Sequence, residues 1–139
     1  MRSNGRVACL LAGAVGVVLL VPGAASASLP KRNTTYAALV ERGDDGRVAT
    51  IRIKIGTDRT KVAKVVVIAE CEGGDAFRIV RRNLPIDKVG GFTASKLTDG
   101  GDVLYAINGA WESKRSLYGE VDLSLDRCPP GGFGFSVTV

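Results

Sequence analysis

Two aspartates three residues apart, a serine beside a lysine, a single tryptophan and two distant cysteines are the side chains of this chain that invite a chemical reading. Asp99 and Asp102 flank Gly100-Gly101 and would have to converge across that turn to divide general acid and general base duties. A solvated turn explains the same four residues with fewer conditions, because short carboxylates bond locally and glycine accepts positive φ. Ser95 and Lys96 are adjacent, so in an extended segment they face opposite ways and do not make a nucleophile and its base. The chain contains no histidine. That excludes protein-derived Ser-His-Asp and Cys-His arrangements and any histidine-ligated metal, although enzymes without histidine exist.

The glycine doublets Gly73-Gly74, Gly90-Gly91, Gly100-Gly101 and Gly131-Gly132 are scattered, and none is followed by the Lys-Ser or Lys-Thr that would cradle a nucleotide phosphate. They read as turns. No cofactor is indicated. Trp111 is the candidate ligand contact, since an exposed indole stacks on a sugar or anchors a partner, and Tyr105 or Tyr118 would extend such a platform. Packing at a strand edge is the competing use of the same indole.

Stepping outward to the segments that must position these groups, the first 27 residues follow the order of a secretory signal peptide. Arg2 and Arg6 precede an apolar run from Val7 to Val21, and Ala24-Ala25-Ser26-Ala27 offers small side chains to a peptidase. That run has fifteen residues, short of the roughly 20 that a membrane span needs. Cys9 lies at its start, where a lipoprotein cysteine would follow it. Cleavage after Ala27 is expected, leaving 112 of 139 residues and no transmembrane segment in the mature chain. Secretion to the extracellular space or the cell envelope is the expected localisation.

Loss of Arg2 and Arg6 lowers the formal charge from +5 to +3. Arg52, Lys54, Lys61, Lys64, Arg78, Arg81 and Arg82 are distributed over several segments among carboxylates, which reads as a solubilising surface. Nucleic acid is therefore disfavoured as a partner, because its phosphates require concentrated cations and a reading or stacking surface. Asn33-Thr34-Thr35 matches a glycosylation sequon, but no glycan is assigned.

Cys71 and Cys128 are the cysteines the mature chain would keep, the even count expected of an exported protein. Their expected pairing closes a 58-residue loop, for which chain entropy predicts about 4 kcal/mol of stabilisation. Free buried thiols and an incomplete metal pair are the weaker alternatives.

The remaining pattern is that of strands. Ala49, Ile51, Ile53 and Ile55 alternate with Thr50, Arg52 and Lys54, and Leu117, Gly119, Val121, Leu123 and Leu125 alternate with Tyr118, Glu120, Asp122, Ser124 and Asp126. Period two separates these residues into a core set and a solvent set, whereas a helix would mix them. Val65 to Ile68 is continuously apolar, which suggests partial cover on both faces near the middle of a central strand. Gly109 suggests a bend or bulge. The expected architecture is all-β, a compact antiparallel sandwich with a small barrel as the alternative, comprising a short lead at 28–35 and one β domain at 36–139.

The order Tyr36, Gly46-Arg47-Val48, Cys71-Glu72-Gly73-Gly74, Leu84-Pro85-Ile86, Gly91-Phe92, Gly119-Glu120-Val121 and Cys128 before Gly134-Phe135 resembles a group of small secreted actinobacterial β-domain proteins. The resemblance covers most of residues 36–139. It implies a bacterial source, a signal peptide, a compact β domain and two cysteines bracketing the second half, with no catalytic motif. Phe135 stands where that pattern frequently has tryptophan. The expected function is a non-enzymatic extracellular binding or interaction domain for an unknown extracellular or cell-envelope ligand. A small carboxylate-dependent hydrolase and a structural envelope component are the competing classes.

Overall fold

The computed structural model describes residues 28–42, 47–124 and 132–139. It holds eight strands: β1 (Thr35–Arg42), β2 (Arg47–Ile55), β3 (Lys61–Glu70), β4 (Ala76–Pro85), β5 (Gly91–Leu97), β6 (Val103–Trp111), β7 (Ser116–Leu123) and β8 (Phe133–Thr138). A first sheet has the order β1-β2-β3-β4 and a second the order β5-β6-β7-β8, all neighbours antiparallel. Each is a meander of consecutive strands, and the sheets stack with β1 against β8 and β4 against β5. The described residues thus form a two-sheet sandwich, and among them neither sheet closes into a barrel. Among the described residues no helix is long and apolar enough to cross a membrane.

In the first sheet, Ala49, Ile51, Ile53 and Ile55 all face the core, as their alternation requires. Each buried isoleucine contributes about 1.5–3 kcal/mol relative to exposure, so this strand alone is a large share of the core. On β3 the inward residues are Val62, Val65, Val67 and Ala69, a sequence that breaks strict alternation between 62 and 65. A bulge resolves it: Lys54 pairs with Lys64 but Ile55 pairs with Val62, leaving Ala63 as the extra residue. The expected partial cover of the outer face holds at half-buried Val66 but not at Ile68, which is exposed. The apolar run therefore reaches through the sheet to its outer surface.

The second sheet buries aromatics over glycines. Phe92, Gly109, Gly119 and Phe135 are consecutive register partners across β5, β6, β7 and β8. A Cβ on Gly109 would enter the Phe92 ring, and one on Gly119 would meet the carbonyl oxygen of Asn108 and come within 2.6 Å of Phe135 Cζ. The two rings thus occupy the volume the two glycines leave, and Gly109 sits in regular register rather than at a bend. The irregularity in this sheet falls instead between Lys96 and Leu97.

Residues 28–35 are tied to the sandwich instead of forming a loose lead. Arg59 donates to the carbonyls of Pro30 at 2.8 Å and Leu29 at 3.2 Å, and Pro30 is fully buried. The Tyr36 hydroxyl accepts from the Lys31 N–H at 3.0 Å and donates to the Lys114 carbonyl at 2.5 Å, joining β1 to the β6–β7 turn. The Tyr36 ring meets Trp111 edge-on, with centroids 5.8 Å apart.

Candidate functional site

Alternation sends β2 residues Thr50, Arg52 and Lys54 outward, and on β3 the bulge returns Lys64, Val66 and Ile68 to the same outer face. Antiparallel register then fixes which of them are neighbours. Lys54 lies opposite Lys64, and Lys64 opposite Arg82 on β4, so three cations form one row across three strands. The next row is Ala37, Arg52, Val66 and Val80, and the one after it Leu39, Thr50, Ile68 and Arg78. Five cations thus share a face that carries carboxylates only beyond these rows, at Glu41 and Glu70. Glu70 is turned toward the β2 backbone, where it accepts from the Val48 N–H at 3.1 Å.

A groove of about 430 Å³ runs over this face, lined by Thr35, Thr50, Arg52, Lys54, Lys64 and Arg78 with Val66 and Ile68. None of Arg52, Lys54, Lys64, Arg78 or Arg82 bonds to another described residue through its side chain. Like charges directly opposite each other in a sheet are destabilising. Packing therefore gives no reason for Lys54 against Lys64. What the arrangement offers is a concave, multiply cationic surface with an aliphatic floor.

The other cations noted in the sequence are used differently. Lys61 Nζ lies 3.7 Å from Asp58, whose carboxyl is held below its ordinary range chiefly by the hydroxyl and N–H of Thr60. Arg81 turns inward at the sheet edge and donates to the Ser95 carbonyl at 3.2 Å and the Tyr105 hydroxyl at 3.1 Å. The scattered basic residues were legible one by one, but their gathering depends on register and on the Ala63 bulge.

Trp111 is placed in the core, only 3% exposed, with its ring against Tyr36 and Phe92 at centroid distances of 5.8 and 5.4 Å. Inward alternation at the end of β6 puts it there, so the packing reading of this indole holds and it is not an exposed ligand contact. Tyr105 is buried as well, whereas Tyr118 is 55% exposed on the outer face of the second sheet. There it borders a wider hollow of about 600 Å³ that includes Asp87, Thr93, Asn108 and Glu120. Asp87 is committed to its own turn, accepting from the N–H groups of Val89 and Gly91 at 2.9 and 2.8 Å.

Asp99 and Asp102 are exposed in the β5–β6 turn, closed by Thr98 N–H to the Asp102 carbonyl at 2.7 Å and Asp102 N–H to the Thr98 hydroxyl at 3.1 Å. These bonds use the Asp102 backbone, and both carboxylates are open to solvent. Ser95 lies on the outward side of β5, whereas Lys96 stands opposite the inward Tyr105, so the two are not brought together. Cys71 is buried immediately after β3, with its Sγ 3.7 Å from the Ala69 carbonyl. Cys128 lies outside the described residues, as does the proposed signal segment.

The fold and this surface define an all-β sandwich with one cationic sheet face. No family model, curated protein or solved structure matches the chain.

Proposed function

We propose that the chain is a secreted, non-enzymatic binding domain, held by a Cys71–Cys128 disulfide, whose ligand surface is the outer face of the first sheet. The observation that carries this reading is the row Lys54, Lys64 and Arg82 with Arg52 and Arg78 beside it, five cations on one sheet face, four of them lining the groove, with carboxylates only in the flanking row at Glu41 and Glu70. Such a surface attracts anions, and several cations acting together give salt-dependent affinity that one exposed ion pair does not. The amino-terminal pattern and the resemblance to secreted actinobacterial β domains support export. A carboxylate hydrolase finds no support in Asp99 and Asp102, whose carboxylates stand exposed on a turn.

The test uses dextran sulfate and uncharged dextran as probes at several salt concentrations. Binding to dextran sulfate alone is expected, falling roughly 20- to 40-fold between 50 and 200 mM salt if about three cations engage. Lys54→Glu/Lys64→Glu should abolish it with the fold intact by circular dichroism. Equal binding by that variant would sink the assignment of this face.

A further inference from the structure

We infer that the ligand of the cationic face is a linear acidic glycan, a polysaccharide with a carboxylate on successive sugars. This rests on the reading of that face as the anion-binding surface, and it follows from what the groove has and what it lacks. Strand spacing of about 4.8 Å and a repeat of about 6.7 Å for alternate residues separate the Cα atoms of Lys54 and Arg78 by roughly 16 Å. One small anion does not engage cations spread that far, so the ligand carries several charges in succession.

The lining then selects among polyanions. Among the described residues no aromatic side chain lines the groove. Single-stranded nucleic acid draws much of its affinity from bases stacked on aromatic rings; a sugar chain also stacks on such rings, but unlike a base it offers C–H faces and hydroxyls to the aliphatic and hydroxyl lining that is present here. An extended peptide gains affinity by main-chain pairing at a sheet edge. Here the central strands β2 and β3 are paired on both sides, so the groove presents side chains only. A bilayer surface is broad and flat, whereas the cations here line a hollow of about 430 Å³. The hydroxyls of Thr35 and Thr50 suit sugar hydroxyls, Val66 and Ile68 suit the C–H faces of sugar rings, and the cations suit carboxylates.

The opposite face supplies the strongest competing occupant. Outward positions of the second sheet include Glu120 and Asp122 and no lysine or arginine, so a second copy has some charge complementarity of its own. Its short polar side chains and exposed Tyr118 form a broad hollow, not a ridge that would enter the groove.

The experiment measures binding of the purified full-length protein to galacturonate oligomers of one to eight units by calorimetry. Comparison ligands are fully methyl-esterified oligomers, single-stranded DNA of matched charge and vesicles of anionic lipid. Affinity should rise at least tenfold from the dimer to the hexamer, fall at least tenfold on esterification, and exceed that for DNA and vesicles. Arg52→Gln/Arg78→Gln, a milder change than charge reversal, should weaken the hexamer more than the dimer. Preference for DNA or vesicles, or affinity independent of length, would overturn the glycan while leaving an anion-binding face. Self-association in low salt that Glu120→Lys and Lys54→Glu/Lys64→Glu both remove would assign the groove to a second copy. Binding to none of these anions would defeat both the glycan and the face.

Discussion

The two sheets solve the same packing problem with different residues, and their outer faces diverge accordingly. The first buries β-branched aliphatics, Ile51, Ile53, Ile55, Val62, Val65 and Val67, and presents Arg52, Lys54, Lys64, Arg78 and Arg82 to solvent. The second buries Phe92, Tyr105, Trp111, Phe133 and Phe135 and presents Thr93, Asn108, Tyr118, Glu120 and Asp122. Core formation constrains only the inward half of each strand. The outward half is free to specialise, and only on the first sheet does it gather charges of one sign against packing preference.

The largest expected effect tests whether the two sheets depend on a covalent tie. Cys71 ends the third strand of the first sheet, and Cys128 belongs to the connection before the last strand of the second, outside the described residues. Non-reducing peptide mapping should recover their bond. Reduction should cost about 4 kcal/mol by the chain-entropy relation and lower the melting temperature by about 15 °C. Recovery of two free thiols from folded, exported protein would remove the tie. A mapped bond whose reduction leaves the melting temperature unchanged would show that the unfolded-state constraint is offset.

A smaller effect contrasts the inward and outward halves of the second sheet. Gly119→Ala forces a methyl group against the backbone of β6 and the Phe135 ring, neither of which can rotate away. A loss of about 2–3 kcal/mol is expected in denaturant unfolding. Gly134 lies opposite Glu120, one residue from the Phe135 that faces Gly119, yet a Cβ there finds only the Gly119 carbonyl at 3.8 Å. Gly134→Ala should be neutral or stabilise by up to about 1 kcal/mol through the unfolded chain. Similar losses at both positions would mean that the ring-over-glycine row is not what limits this sheet.

The same contrast explains what could be read before the fold was known. The isoleucines of β2 and the alternation of β7 were legible because burial on one face imposes period two on adjacent residues. The phase slip between Val62 and Val65 looked like an apolar run because a bulge leaves no residue type that marks it. Gly109 suggested a bend because its partner in space, Phe92, is seventeen positions away and only register reveals the ring above it. Trp111 was ambiguous because edge and core positions at the end of a strand differ by one step of alternation. Lys54, Lys64 and Arg82 belong to three strands, so their row exists only after two hairpins have set their registers. A site built across strands carries no motif along any one of them.

The smallest expected change in stability is also the sharpest test of the difference between the two outer faces. Lys54 and Lys64 stand directly opposite each other, and like charges so placed are destabilising by about 0.2–1 kcal/mol relative to neutral residues. Lys54→Glu replaces repulsion by attraction toward Lys64, and both positions lie outside the core. If the face serves only solubility, this variant should unfold at slightly higher denaturant concentration and lose nothing else. If the face holds an anionic chain, the same variant should gain those few tenths while its affinity for the acidic glycan falls at least tenfold. Glu120→Gln on the second sheet is the matching control, expected to leave both quantities within about 0.5 kcal/mol of the parent. Denaturant midpoints and calorimetric titrations on the three proteins separate the cases. A stability gain at Lys54 without loss of binding would return that row to the role of an ordinary solvated surface.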